Sequence, residues 1–253
     1  MDITEKAEKK LKKLFGENYQ SEFKKTDPEM MEIFDNFAFD EVLEYGNMSE
    51  EERMLSILAA LIAAQTQGEY KLMLKAALNA GVTAVKIKEV VYQSTAYVGM
   101  AKSYDFLKIT NEIFREEGIE LPLAGQSTTD RETRFDKGLK VQKSIFGDVI
   151  DKMYQGAPEN QKHIQNYLSA NCFGDYYTRN GLDLKEREMI TFAMLAALGG
   201  CESQIKGHVR GNQSVGNDKE TLLSVLTQLL PYIGYPRTLN ALNCVNEIIP
   251  EEN

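Results

Sequence analysis

The sequence predicts an all-α protein made of two tandem helical domains that arose by internal duplication. Three observations lead there. Apolar residues recur at i, i+3 and i+4 along most of the chain, while β-branched residues do not gather into alternating runs bounded by turn residues. Matching elements also return at a separation of about 131 to 135 residues. Only two copies of so long a period mean two similar domains, not a solenoid.

Taken in order, the elements support this reading. Lys9-Lys10-Leu11-Lys12-Lys13 is expected to form the solvated face of an amphipathic helix. Ser49 can cap a helix whose first turn, Glu50-Glu51-Glu52, complements the helix dipole. That helix continues through Met54 to Ala64, apolar nearly all round and therefore buried. A second apolar helix, Met189 to Leu198, follows a similar charged start at Lys185-Glu186-Arg187-Glu188.

The other correspondences keep order and spacing. Leu14-Phe15-Gly16-Glu17 answers Ile145-Phe146-Gly147-Asp148, Asp27-Pro28-Glu29 answers Ala157-Pro158-Glu159, and Arg53 answers Arg187. Leu78-Asn79-Ala80-Gly81 answers Gln213-Ser214-Val215-Gly216, and Gln93 to Gly99 answers Gln228 to Gly234. Gly81 and Gly216 read as helix stops, with Thr83 and Asp218 as the caps that restart the chain. The helical pattern lapses across Leu121 to Asp130, which places a boundary near residue 125 and domains at 1–125 and 126–253.

Composition narrows the function classes. With 43% hydrophobic and 26% charged residues, 6 Pro and 18 Gly, the 253-residue chain is neither disordered nor collagenous. A net charge of −9 opposes non-specific attraction to nucleic acid or anionic lipid, so neither is expected as a partner. Three scattered cysteines without a CxxC pair predict neither a disulfide framework nor a zinc site, and suit the reducing cytoplasm. The charged start, Met1 to Lys6, lacks the apolar core of a signal peptide. The longest nearly apolar stretch, Met54 to Ala64, falls short of the roughly 20 residues that span a bilayer.

The duplication also allows an internal comparison, and the copies diverge at one place. Thr66 of the first stands where the second has Cys201, and Met73 stands where it has His208. Alone, Cys201 reads as a small buried hydrophobe and His208 as a core or surface imidazole. Together, after a Gly199-Gly200 break at the end of an apolar helix, they point to a site. Seven residues put them on one helix face about 10 Å apart, so Gln204, a water or a substrate would have to bridge them. At a helix N-terminus, Cys201 would have its thiolate favoured by the dipole. His163 reads as a solvated helix residue, and Cys172 and Cys244 as core packing.

Glu186-Arg187-Glu188-Met189-Ile190, Ala196 to Glu202, His208, Gly216 and Gln228 to Arg237 together resemble the carboxymuconolactone decarboxylase family, which shares its fold with alkylhydroperoxidase D. The first half resembles it more loosely, through Glu52-Arg53, Gly81-Val82-Thr83 and Tyr97-Val98-Gly99. The resemblance implies two alkylhydroperoxidase D-like domains that oligomerise through helix faces, and for a tandem chain a homotrimer.

It also implies two activities. In the hydroperoxidase branch a Cys-x-x-Cys pair, a His and a Glu form a redox centre. Cys201, His208 and Glu188 match three of these positions, but Gln204 replaces the second cysteine, leaving only a one-cysteine sulfenic route resolved by an external thiol or by Cys172. The decarboxylase branch uses no cofactor and acts on a small lactone acid. It needs a cation for the carboxylate, an acid/base group and an apolar wall. Arg187, Arg210 or Arg237 could supply the first, His208 or Glu202 the second, and the Met189 to Leu198 helix the third, with Gln204 as a further contact.

The leading expectation is cofactor-independent acid–base chemistry on a small carboxylate-bearing metabolite in the second domain, with Cys201 lining the site and no metal involved. A thiol peroxidase acting through Cys201 is the alternative, and a non-catalytic oligomeric binding protein a third. On each reading the first domain is degenerate.

Overall fold

The computed structural model describes residues 2–251. Six α-helices occupy the first half: α1 Glu5–Phe15, α2 Pro28–Phe39, α3 Glu50–Ala64, α4 Gln67–Asn79, α5 Ala84–Val98 and α6 Met100–Glu116. The second half has α7 Arg134–Phe146, α8 Val149–Gly156, α9 Lys162–Tyr167, α10 Leu184–Leu198, α11 Glu202–Ser214 and α12 Lys219–Ile248. α9 runs on into a π-helical stretch, Leu168–Tyr177. Among the described residues there is no strand, and no helix is long and apolar enough to cross a membrane.

The repeat extends to the caps. Ser49 with Glu52 and Asp183 with Glu186 form equivalent capping boxes at the starts of α3 and α10. Thr83 caps α5 and Asp218 caps α12, as their positions after Gly81 and Gly216 imply. Gly99 (φ 81°, ψ 155°) separates α5 from α6, and Gly234 (φ 75°, ψ 168°) breaks α12 at the corresponding point. Residues with side chains strongly disfavour that conformation, so the same bend is written twice by glycine.

The two central helices pack against each other and fuse the halves around one core. Because α3 and α10 are apolar nearly all round, every residue of Met54–Ala63 and of Met189–Ala197 is buried. Their arginines bond across the repeat. Arg53 Nε donates to Gln228 Oε1 at 3.0 Å, and Arg187 Nη1 donates to Gln93 Oε1 at 2.8 Å. Each half thus binds the buried arginine of the other through an equivalent glutamine. A smaller cluster of Ile145, Cys172, Phe173 and Tyr177 lies beside this core and shapes one wall of the site.

Candidate active site

The turn Gly199-Gly200-Cys201 lays α11 beside α10 and brings their facing side chains together. Glu188 of α10 is fully buried, and its Oε2 lies 2.8 Å from Nδ1 of His208 on α11. Gly211, three residues beyond His208, makes this contact possible: a Cβ there would stand 2.3 Å from Glu188 Oε2. Asn212 ties the helices by donating from Nδ2 to the backbone oxygens of Glu188 (3.1 Å) and His208 (2.8 Å).

The other carboxylate oxygen, Oε1, accepts from the Tyr177 hydroxyl at 2.9 Å. That hydroxyl also lies 2.8 Å from Thr191 Oγ1 and 2.9 Å from the hydroxyl of Tyr97, which comes from α5 of the first half. Gln93 Nε2 donates to Thr191 Oγ1 at 2.9 Å, so the network continues to the glutamine that holds Arg187. Burial, with Glu188 among the further causes, pushes both phenols well above their ordinary range, so each stays protonated. The Cys172 thiol, beside Tyr97, is pushed up to about 12, chiefly by burial.

The His208 ring meets Phe146 and Tyr97 edge to face, at 5.4 and 6.0 Å between centroids. Its side chain is 14% exposed whereas Glu188 has none, so the imidazole is the member of the pair that solvent reaches. A carboxylate only accepts, so Nδ1 carries the proton in a neutral ring and Nε2 carries the lone pair. The arrangement can therefore hold and move one proton at Nε2. No group of three or more His, Cys, Asp or Glu side chains among the described residues is placed to hold a metal ion.

Of the residues singled out in the sequence, Glu188 and His208 come together. Cys201 is the N-cap of α11, and its Sγ donates to Leu195 O at 3.3 Å, not to His208. Its pKa is raised and not lowered: burial, then the Glu202 carboxylate and Cys244, push the thiol up. Nor does Gln204 bridge to His208; it is exposed, and its Oε1 accepts from Ser203 at 2.8 Å.

Glu202, Arg210 and Arg237 are exposed. Arg187 is fully buried and committed within the fold, donating to Glu89 Oε2 at 3.0 Å, to Gln93 and to the backbone oxygen of Arg179 at 2.9 Å. His163 is exposed, while Cys172 and Cys244 are buried.

The sequence reading missed Tyr177, which bonds Glu188, and Tyr97 and Thr191, which bond Tyr177. A signal exists for Tyr97: Gln93 and Tyr97 persist in both copies, as Gln228 and Tyr232.

The first half keeps the shape of the site without its charge. Met73 occupies the position of His208, Met54 that of Glu188 and Tyr232 that of Tyr97. Tyr232 directs its hydroxyl at Met73 Sδ, 3.9 Å away. The Phe15–Phe39 edge contact at 5.8 Å likewise matches Phe146–Phe173 at 5.9 Å.

Comparison with known proteins agrees with the repeat. The model of the carboxymuconolactone decarboxylase family matches two stretches of the chain, residues 28–112 and 162–247. A 4-carboxymuconolactone decarboxylase from Acinetobacter baylyi is 26% identical over 121 residues, which cover 47% of this chain and 90% of that protein. The match thus takes in just under half of this chain and nearly the whole of that relative. With both copies matched and the helical repeat in place, the chain belongs to the carboxymuconolactone decarboxylase family and carries the family's domain twice.

Proposed function

We propose that the second half catalyses a cofactor-independent decarboxylation, or a closely related lyase reaction, of a small carboxylate-bearing metabolite. The observation that carries this reading is the His208–Glu188 pair, 2.8 Å apart and walled by aromatic rings. In the reaction the bond from carbon to the carboxylate breaks and carbon dioxide leaves. The electron pair enters the conjugated system, and His208, protonated at Nε2 by solvent, delivers that proton to the allylic carbon and returns to the neutral ring. Glu188 fixes the tautomer of the ring and stabilises its protonated form, while Tyr177 holds the carboxylate in place and is itself held by Tyr97. A groove of about 560 Å³ that reaches Tyr177 of this network carries Lys137 and Lys140 together with Asp183. The name of the bacterial relative supports a lactone acid as the substrate class. The first half acts as scaffold and contributes Tyr97.

The thiol route is less favoured, because Cys201 is held as a neutral thiol and has no hydrogen bond to His208. The test is turnover of 4-carboxymuconolactone by three proteins. His208→Ala should lower kcat by about 10²–10⁴-fold, whereas Cys201→Ser should stay within a few-fold of the parent chain. Loss of turnover in Cys201→Ser, or full turnover in His208→Ala, overturns the reading.

A further inference from the structure

Residues 121–126 lie against α5 and α6 and enclose with them a cavity of about 330 Å³, a size suited to a small ligand. Its unusual member is Lys88, only 6% exposed. The ammonium donates to Asn111 Oδ1 and lies 5.1 Å from the centre of the Phe114 ring, and among the described residues no carboxylate forms an ion pair with it. The charge that acts on it is a second cation, Arg115. Glu89, also in the lining, is already answered twice, by Arg179 at 2.9 Å and by Arg187 at 3.0 Å. The cavity therefore holds uncompensated positive charge beside apolar side chains, Val85, Leu107, Leu121 and Leu123.

The duplication shows that the scaffold does not require this lysine, since the equivalent residue of the second half is Leu223. A buried ammonium without a counter-ion is costly, and a leucine would serve packing better. We infer that the cavity is a binding site for a small organic carboxylate with an apolar body, its carboxylate held between Lys88 and Arg115 and its body against Leu107, Leu121 and Leu123. This site is separate from the His208–Glu188 pair and lies on the first half, which the proposed chemistry uses only as scaffold.

A second property supports the inference. Burial, with Arg115 adding to it, lowers the Lys88 pKa to about 8. The charged or titratable groups around it are Glu89 and Tyr92 on its own helix, Arg115 on α6, and Arg179 from the segment before α10. A bound carboxylate restores the ammonium, so binding above that pH takes up a proton.

The experiment is calorimetric titration of the full chain with benzoate at a pH near 8.5, in two buffers of different ionisation enthalpy, with inorganic phosphate as the comparison anion. Saturable benzoate binding with fractional proton uptake is expected, weaker for phosphate. Affinity should fall by at least about ten-fold in Lys88→Met and also fall in Arg115→Gln, while remaining unchanged in His208→Ala. Arg115 is exposed, so its variant decides the matter even if Lys88→Met does not fold. No saturable benzoate binding, tighter phosphate binding, affinity unchanged in the lysine and arginine variants, or loss in His208→Ala overturns the inference.

Discussion

The hydroxyl of Tyr97 lies 2.9 Å from that of Tyr177, joining residues 80 positions apart on opposite halves of the duplication. Both oxygens also contact Thr191 Oγ1, at 3.1 and 2.8 Å, and only Tyr177 reaches Glu188 directly. Tyr97 therefore acts through Tyr177, as a positioning residue supplied by the half that lacks the ionisable pair. Tyr97→Phe keeps the ring against His208 and removes one hydroxyl. It should lower kcat for the lactone acid by about ten-fold, the effect of one lost buried hydrogen bond, with KM nearly constant. A KM change with unaltered kcat would place Tyr97 in substrate binding instead.

The two buried arginines should differ in their effect on stability. Arg187→Met removes one of the two guanidinium partners of fully buried Glu89, and breaking such a pair costs about 3–5 kcal/mol. Arg53 bonds mainly to neutral acceptors, Gln228 Oε1 and Ala38 O, with a partly exposed Glu50 beside it. Arg53→Met should cost less, about 1–3 kcal/mol. Denaturant midpoints of the two variants test the order, which the reverse ranking contradicts.

Stability should also fall as pH rises through the acid range. Burial pushes the carboxyl of Asp35 up to about 6 from its ordinary 3.8, only partly offset by Lys24. The folded state then binds this proton more tightly than the unfolded one. The Asp35 contribution is fully present below about pH 4 and is lost as pH climbs through 6. Asp35→Asn should remove that slope and raise Tm at neutral pH. An unchanged slope between pH 4 and 6 refutes the assignment.

Both halves present the same apolar positions to solvent. Met100 and Tyr104 on α6 are 51% and 59% exposed, and their equivalents on α12, Tyr235 and Leu239, are 61% and 50% exposed. Large apolar residues exposed at matching positions of a repeat suit quasi-equivalent contacts between chains. A homotrimer, which the family resemblance implies, is the expected assembly. Light scattering of the parent chain should give three times the monomer mass, and Tyr104→Glu combined with Leu239→Glu should reduce it to that of one chain. A monomeric parent refutes this.

Much of the molecule was legible before its structure. An all-α duplication with buried central helices followed from period and caps, because a helix apolar all round has to be enclosed. His208 stood out because the sister copy has Met73, while Glu188 came from the family resemblance, which implies a glutamate on the preceding helix. The first is a local signal, readable along one chain. What met them was not local. Gly211 admits the carboxylate only once α11 lies on α10, Tyr97 arrives from the other half, and Arg187 turns to Glu89 instead of a substrate. The thiol of Cys201 was expected to ionise from its place at a helix end, but enclosure by neighbouring groups raised its pKa. The sequence by itself determined the helices, their repetition and which copy carries the histidine, since these depend on spacing and on comparing the copies. Only the tertiary structure decided which charges are compensated, because that depends on contacts between residues 94 and 98 positions apart and on how far packing excludes water.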